Sequence, residues 1–307
     1  MQKTAIPQQF DAVFADAHVH LHDCFNIADV LDSALSSFWF FASRYNYGDS
    51  PVGVLFLTEM QNENHFAKLY EKALDVPAAG IRNRAQEWQF YHTEETVSLM
   101  AVGPYSQPLI LLAGRQIVTQ EGLEVLALIT DDRFEDGLPI EGTLQSVIDS
   151  GGLPVLPWGF GKWIGKRGKL LQKMLQAERW APLFLGDNGG RPTFWRRSPY
   201  FNWAAAQGMR ILPGTDPLPL PSEYQRAGSY GFKLAGTISA AQPGHDIRQS
   251  LLDTSQKVEA FGYLENPVKF VWNQFAIRAQ KFAKRKPVST PVFLEPNQEE
   301  QGCSHAI

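Results

Sequence analysis

Short apolar runs of five to nine residues recur along the chain, and most are followed by a longer stretch of mixed polar and apolar character. The runs show little alternation of apolar and polar positions, and most end in Gly, Asp, Thr or Pro. This pattern is typical of strands buried on both faces of a parallel sheet. The runs predicted to be strands are residues 12–20, 52–59, 109–114, 123–130, 153–159, 183–187, 210–216 and 232–238.

The stretches between these runs have the periodicity of amphipathic helices. The predicted helices are residues 28–45, 62–75, 140–150, 168–180, 200–208 and 246–253. Strands that alternate with helices imply a parallel sheet with crossover helices. Six to eight such units within about 250 residues fit one barrel better than two doubly wound domains. We therefore predict an α/β fold: a single-domain, TIM-like (β/α) barrel with about seven parallel strands.

The C-terminal part of the chain differs from the rest. The barrel is predicted to span residues 1–265, with a helix packed on it over 266–286 and a mobile tail over 287–307, where Pro, Gln, Glu and Ser dominate. The apolar positions of that helix are Val268, Val271, Trp272, Phe275 and Phe282. Its basic end suits the C-terminus of a helix dipole, and a membrane or nucleic-acid patch is the alternative.

Composition excludes several classes of protein. Hydrophobic residues make up 44% of the 307 residues, too many for a disordered chain, and 28 Lys and Arg against 32 Asp and Glu give a net charge of -4. Neither nucleic acid nor a membrane is expected as a partner, since there is no basic excess and no apolar run long enough to span a bilayer. Two cysteines and the absence of a secretory signal predict a cytoplasmic protein of undetermined oligomeric state.

The segment DAHVHLHDCF, residues 16–25, carries the clearest chemical signal. Because strand side chains alternate, His18 and His20 lie on one side, where two imidazoles can share a divalent cation. The carboxyl end of a barrel strand is also where active sites form. The alternative is a histidine pair bonded to the backbone at a strand end. His22 is an outer donor or an exposed loop residue, and Cys24 is a lone thiol.

Three segments together resemble the PHP (polymerase and histidinol phosphatase) family: DAHVHLH, LFLTEMQ and ILPGTDPLP. The resemblance implies a cluster of two or three metal ions that hydrolyses phosphoesters. The wider amidohydrolase superfamily uses a similar metal-bearing barrel. No position for a carboxylated lysine is evident here.

The match to the family's ligand motifs is partial. His18 and His20 fit the first motif, and Asp216 fits the aspartate of the last. Glu59 is a candidate ligand in the second motif, where Met60 replaces a histidine. Elsewhere the expected ligand positions hold residues that the resemblance does not count as ligands: Gln116, Trp158 and Leu218.

The reduced set predicts one metal ion per chain rather than a cluster. His18, His20 and Asp216, with Glu59 or Asp187, suit a single Zn²⁺, Mn²⁺ or Fe²⁺ with an open position for water. Asp216 would then be both a ligand and the general base. Its alternative role is that of a turn residue, since it precedes a proline.

Two segments are candidates for binding a small anionic molecule. In LFLGDNGGRP, two glycines permit a backbone anion site, and Arg191 adds a charge. In WGFGKWIGKRGK, Lys162 lies among aromatic residues in a loop expected over the barrel mouth. A plain strand-to-helix turn and a cover over the core are the respective alternatives.

These observations predict a metal-dependent hydrolase, most simply a phosphoesterase. A metal-bound hydroxide would attack a small phosphate ester, with Lys162 or Arg191 steadying the phosphate. A catalytically degenerate barrel that serves as a binding or scaffold module is one alternative. An amidohydrolase-type enzyme acting on a C–N bond is the other.

Overall fold

The computed structural model describes residues 6–45, 50–77, 81, 87–105, 107–177 and 180–285. Within these residues, twelve strands form two mixed sheets. The predicted tail over 287–307 lies outside the described residues. None of the described helices is long and apolar enough to cross a membrane.

The first sheet has seven strands. In spatial order they are β12 (Glu259–Gly262), β11 (Tyr230–Ser239), β1 (Gln9–Val19), β2 (Pro51–Leu57), β5 (Pro108–Leu112), β4 (Ser98–Val102) and β3 (Gln89–His92). Only the central pairs β1–β2 and β2–β5 are parallel. The outer pairs are antiparallel, so parallel pairing is confined to the middle of the sheet.

The second sheet has five strands. In spatial order they are β10 (Ile211–Gly214), β9 (Phe184–Asn188), β8 (Leu153–Pro157), β7 (Glu124–Leu128) and β6 (Gly114–Val118). Strands β8, β9 and β10 run parallel, whereas β6–β7 and β7–β8 are antiparallel. Only Ala113 separates β5 from β6, so the chain passes directly from one sheet into the other.

The described residues also form seven α-helices. They are α1 (Ile27–Tyr45), α2 (His65–Glu71), α3 (Ile140–Asp149), α4 (Gly165–Leu175), α5 (Pro199–Ala206), α6 (Pro243–Leu252) and α7 (Pro267–Arg285), with a short 3-10 helix at Pro221–Arg226. Helix α1 buries one face on the first sheet through Leu31 and Phe38. Helices α3 to α5 cover the second sheet. The two sheets share a core between them, in which Val13 and Phe56 cluster with Val155 and Leu212.

The predicted closed barrel of parallel strands is wrong. All eight predicted runs form strands, but β3, β4, β6 and β12 were not predicted, and six of the pairings are antiparallel. The connections explain the reversal. A tight turn at Gly122, with a φ of 71°, joins β6 to β7, so the second of these strands must return antiparallel. Buried strands look alike in sequence whichever way their neighbours run.

The two sheets meet where β1 and β10 end. The amide of Asp216 donates to the carbonyl of His18 over 2.7 Å. A β-carbon at Gly214 would collide with the backbone nitrogen of His18, so only glycine permits this close approach. This junction brings together the residues after the two strands.

Helix α7 packs through a different face from the one predicted. The described residues of its predicted apolar stripe point to solvent, with Trp272 71% and Phe275 64% exposed. Asn273 on the other side is buried and lines a cavity beside the sheet junction. The helix therefore turns its more polar side toward the protein.

Candidate metal centre

His18, His20 and Asp216 converge at the sheet junction. His18 belongs to β1, His20 follows it, and Asp216 follows β10. The Nε2 atoms of the two histidines are 3.1 Å apart. Asp216 Oδ1 lies 3.5 Å from His18 Nε2 and 3.4 Å from His20 Nε2. The three residues that the sequence proposed as ligands therefore lie together, in a group that could hold a metal ion.

The spacing of these atoms fits a divalent cation. Nitrogen and oxygen ligands held about 2.0–2.1 Å from a tetrahedral Zn²⁺ lie about 3.3 Å from one another. The three measured separations scatter around that value. Two imidazoles and a carboxylate also form a donor set that Zn²⁺, Mn²⁺ and Fe²⁺ accept. The residues present therefore fit one such ion.

Gln116 adds a fourth polar atom to the group. Its Oε1 lies 2.9 Å from His18 Nε2. Gln116 was predicted not to be a ligand, because an amide replaces the carboxylate of the family motif. An amide oxygen is neutral but still donates a lone pair to a cation. The position in the motif was the signal that pointed to this residue.

Burial and charge set the protonation of the group. Burial lowers the pKa of His18. Burial also opposes protonation of His20, but the hydrogen bond and charge of Asp216 outweigh it and raise the pKa of His20. Burial opposes ionisation of Asp216, yet the two histidines and the Asn188 amide hold its pKa well below the usual range. Asp216 is thus an anion, which is the form that binds a cation.

The backbone of Asp216 is held in an uncommon conformation. Its φ is 49°, a region that few non-glycine residues adopt. Asn188 at the end of β9 donates from Nδ2 to Asp216 Oδ2 over 2.5 Å. These contacts aim Oδ1 at the two histidines. Asn188 was not predicted as a site residue, although it lies in the LFLGDNGGRP segment.

Asp16 ties the two strand ends together beneath the site. Its carboxylate accepts hydrogen bonds from the backbone of His18, Thr215 and Gly228 at 3.2, 2.8 and 3.0 Å. The Thr215 hydroxyl donates to it over 2.6 Å. Burial raises the pKa of Asp16 to about 6, while these hydrogen bonds act in the opposite direction. Asp16 thus fixes the positions of two metal-site residues without being part of the converging group.

His22 and Cys24 lie outside the converging group. His22 Nε2 is 2.9 Å from the carbonyl of Pro217, and its Nδ1 is 3.7 Å from Glu63 Oε1. The His22 ring stacks on that of His20, with centroids 5.4 Å apart. His22 therefore packs against the His20 ring. The Cys24 side chain is exposed.

Glu59 and Asp187, the two further ligand candidates, are engaged elsewhere. Glu59 pairs with Arg115 at 2.9 Å and accepts the amide of Phe66 at 2.6 Å. Asp187 accepts two hydrogen bonds from Arg191, at 3.2 and 3.0 Å. It also accepts the Tyr230 hydroxyl at 2.9 Å. The structure places neither carboxylate with His18, His20 and Asp216.

The two cations predicted to hold an anion are also paired. The buried Arg191 is held by Asp187 in the pair just described. Lys162 forms an ion pair with Glu124 at the start of β7. Lys162 lines the cavity beside the candidate metal centre. Trp163 belongs to the core, and the buried Trp158 contributes both to the core and to the cavity lining.

Replacing Asp187 with asparagine is expected to lower the free energy of unfolding by about 3–5 kcal/mol, because it breaks a buried ion pair. The change removes the charge that compensates the buried Arg191 but keeps an oxygen for Tyr230. We expect the metal content to be unchanged. Chemical denaturation measures the first quantity and elemental mass spectrometry the second. A variant that folds normally but lacks metal would instead place Asp187 among the ligands.

A cavity of about 450 Å³ opens beside the candidate metal centre. His20, Gln116 and Asp216 form its floor, and α7 closes one side through Phe270 and Asn273. A volume of this size accommodates a small organic molecule. The contribution of α7 was not predicted, because it depends on which face of the helix packs inward.

No model of a known protein family matches the chain, and no curated protein matches it in sequence. Solved structures do resemble it. PsfC from Pseudomonas syringae PB-5123 is 14% identical with a TM-score of 0.52, covering 90% of this chain and 100% of PsfC. Given the low identity, this likeness shows a shared fold and nothing about activity.

Two further solved structures resemble the chain with TM-scores below 0.5. The lesion-specific endonuclease PfuEndoQ from Pyrococcus furiosus is 11% identical with a TM-score of 0.46, covering 80% of this chain and 57% of PfuEndoQ. A two-domain protein from Bacteroides vulgatus ATCC 8482, which contains a predicted PHP-like metal-dependent phosphoesterase, is 11% identical. Its TM-score is 0.40, with coverage of 86% of this chain and 69% of that protein. Similarities at this level carry no information about the activity of this chain.

Proposed function

We propose that this chain is a metal-dependent hydrolase with one divalent cation per chain. The observation that carries the proposal is the convergence of His18 Nε2, His20 Nε2 and Asp216 Oδ1 at the spacing of ligands around one ion. The group lies at the floor of a cavity large enough for a substrate. PHP-like proteins and the amidohydrolase superfamily, which the sequence resembles, use sites of this kind.

The residues of the site differ in their proposed roles: some would bind the cation, and others orient these ligands. The two imidazoles and Asp216 Oδ1 would hold the cation, and Gln116 Oε1 lies beside His18 as a neutral fourth donor. When bound, the cation would act as a Lewis acid and lower the pKa of a water molecule. Asn188 and Asp16 orient the ligands. Outer contacts of this type commonly decide metal affinity.

Asp216 is better placed as a ligand than as the general base. Oδ1 faces the histidines, and Oδ2 accepts a hydrogen bond from Asn188, so both oxygens are engaged. A carboxylate whose pKa lies well below its usual range is also a weak base. The sequence-based assignment of Asp216 as general base stays a prediction.

The finer prediction, hydrolysis of a phosphate ester with Lys162 or Arg191 on the phosphate, needs a free cation. In the structure both are bound to carboxylates. The geometry therefore supports a metal-dependent hydrolase in general more directly than it supports a phosphoesterase.

Untagged protein is expected to contain about one divalent metal ion per chain, as suits a three-ligand site with an open position. Elemental mass spectrometry measures the content, before and after treatment with a chelator. Hydrolysis of a panel of aryl esters, amides and phosphates should disappear on chelation and return with Zn²⁺ or Mn²⁺. A protein that takes up neither ion would contradict the proposal and favour a binding module without turnover.

A further inference from the structure

The described residues that line the cavity carry no excess of positive charge. Six charged side chains line it in the described part of the chain: Glu124, Lys162, Asp216, Glu223, Arg226 and Glu265. Four of them are carboxylates and two are cations. No cation is in excess, which distinguishes this cavity from the clefts that attract anions by concentrating one sign of charge.

Both cations of the cavity wall are already bound. Lys162 pairs with Glu124, and their side chains are 29% and 16% exposed. Arg226 pairs with the buried Glu265 and lies 3.8 Å from Glu223. Lys269 of α7, adjacent to the cavity, reaches Glu223 over 2.8 Å.

A phosphate group would have to break these pairs. Sites for phosphate supply Arg, Lys or metal ions that are free to accept it. If Lys162 turned to a phosphate, Glu124 would be left as an uncompensated, mostly buried carboxylate, which is strongly unfavourable.

The rest of the cavity wall suits an uncharged molecule. Trp158, Phe160 and Phe270 provide an aromatic side, and the rings of Phe160 and Phe270 are 5.5 Å apart. Gln274 and Gln116 line the cavity with neutral amides. Apolar walls with a few neutral polar groups are typical of pockets for neutral organic ligands.

We infer that the cavity takes an uncharged ester or amide with an aromatic or branched apolar group, and that the Glu124–Lys162 pair excludes phosphate. This inference rests on the proposed hydrolase function and specifies its substrate class. In the reaction, water forms a C–O bond to the acyl carbon while the bond from that carbon to the alcohol oxygen or amine nitrogen breaks. One proton of the water goes to the leaving group, and no oxidant or reductant is required.

Replacing Glu124 with glutamine is expected to create a phosphate site. The variant keeps the shape of the side chain and frees Lys162, so inorganic phosphate should bind at least about tenfold more tightly than to the wild type, a difference of about 1.4 kcal/mol. Isothermal titration calorimetry with inorganic phosphate measures the affinity, in metal-free and in Zn²⁺-loaded protein. The gain should vanish when Lys162→Gln is added.

Glu141→Gln is the matched control. It removes the carboxylate from a Glu–Lys pair of 2.9 Å with Lys173, which lies outside the cavity lining. This variant should bind phosphate as the wild type does. Tight phosphate binding by the wild type, or no gain in E124Q, would overturn the inference about the ion pair.

The reaction itself separates this inference from the proposed function. Zn²⁺- or Mn²⁺-loaded wild type should hydrolyse 2-naphthyl acetate at least about 100-fold faster than 2-naphthyl phosphate, relative to the uncatalysed rates, corresponding to about 2.7 kcal/mol. Preference for the phosphate would overturn the substrate class and leave the hydrolase proposal standing. Hydrolysis of neither compound by metal-loaded protein would overturn both the acyl substrate class and the hydrolase proposal, whatever the phosphate affinity.

Discussion

Replacement of both His18 and His20 by alanine is expected to abolish metal binding. Two of the three converging ligand atoms disappear, and Asp216 alone cannot hold a divalent cation with useful affinity. We expect the affinity to fall by well over about 100-fold, since even the loss of an outer-shell partner commonly costs 10–100-fold. Competition with a metal-binding dye measures the affinity, and elemental mass spectrometry measures the content of the purified protein.

The control for this prediction is His245→Ala, which removes an exposed histidine at the start of α6. Its metal content should equal that of the wild type. A second double variant, His18→Gln/His20→Gln, preserves much of the side-chain volume if the alanine variant folds poorly. A folded double variant that retains one metal per chain would refute the assignment of the site.

Asp16→Ala is expected to have the largest effect on stability. The substitution leaves the buried amides of Thr215 and Gly228 and the hydroxyl of Thr215 without their acceptor. At about 1–3 kcal/mol for each of these three buried groups, the free energy of unfolding should fall by about 3–9 kcal/mol. Denaturation with urea, followed by tryptophan fluorescence, measures this change.

The metal site should weaken in the same variant, because Asp16 holds Thr215, the neighbour of Asp216, against β1. Asp16→Asn keeps one acceptor oxygen and should lose about half as much stability, since part of the hydrogen bonding survives. Asp246→Ala, at the partly exposed start of α6, provides a comparison for a carboxylate that accepts one backbone hydrogen bond. A loss in Asp16→Ala no greater than in that control would contradict the role given to Asp16.

The positions of the strands and helices could be predicted because they follow local patterns. Every predicted strand and helix among the described residues exists, and α1 and α3 begin within one residue of the prediction. The spacing of apolar residues along a strand or helix reflects which of its faces is buried, so residues close together in the sequence carry this information. The missed strands β3 and β12 have only four residues each and are partly exposed, so they lack a buried apolar run.

The directions of the strands could not be predicted in the same way. The segment from β5 to β7 contains three strands, two of which were predicted. Whether a buried strand pairs parallel or antiparallel depends on its connections and on distant partners. The tight turn at Gly122 makes β7 return antiparallel to β6, which is incompatible with the predicted barrel of parallel strands.

The candidate metal centre shows the same division. His-x-His on a strand that ends at the carboxyl edge of a sheet was enough to predict His18 and His20 as a pair, and the motif around Asp216 supplied the third residue. Sequence alone could not predict the ion-pair partners of Glu59, Asp187, Lys162 and Arg191. A charged residue looks the same in the sequence whether its side chain faces a cavity or an opposite charge. Their ion pairs emerge only when strands and loops pack.

The amino-acid sequence alone thus determined the strands, the helices and the His-x-His donor pair, because strand periodicity is a local property. The packing of the two sheets establishes the rest: Asp16 and Thr215 are 199 residues apart in sequence yet share two hydrogen bonds, and this contact sets Asp216 beside the histidines. It also decides which charged side chains around the cavity are paired. Electrostatic balance depends on distances of a few ångströms between distant segments, and no local pattern encodes them.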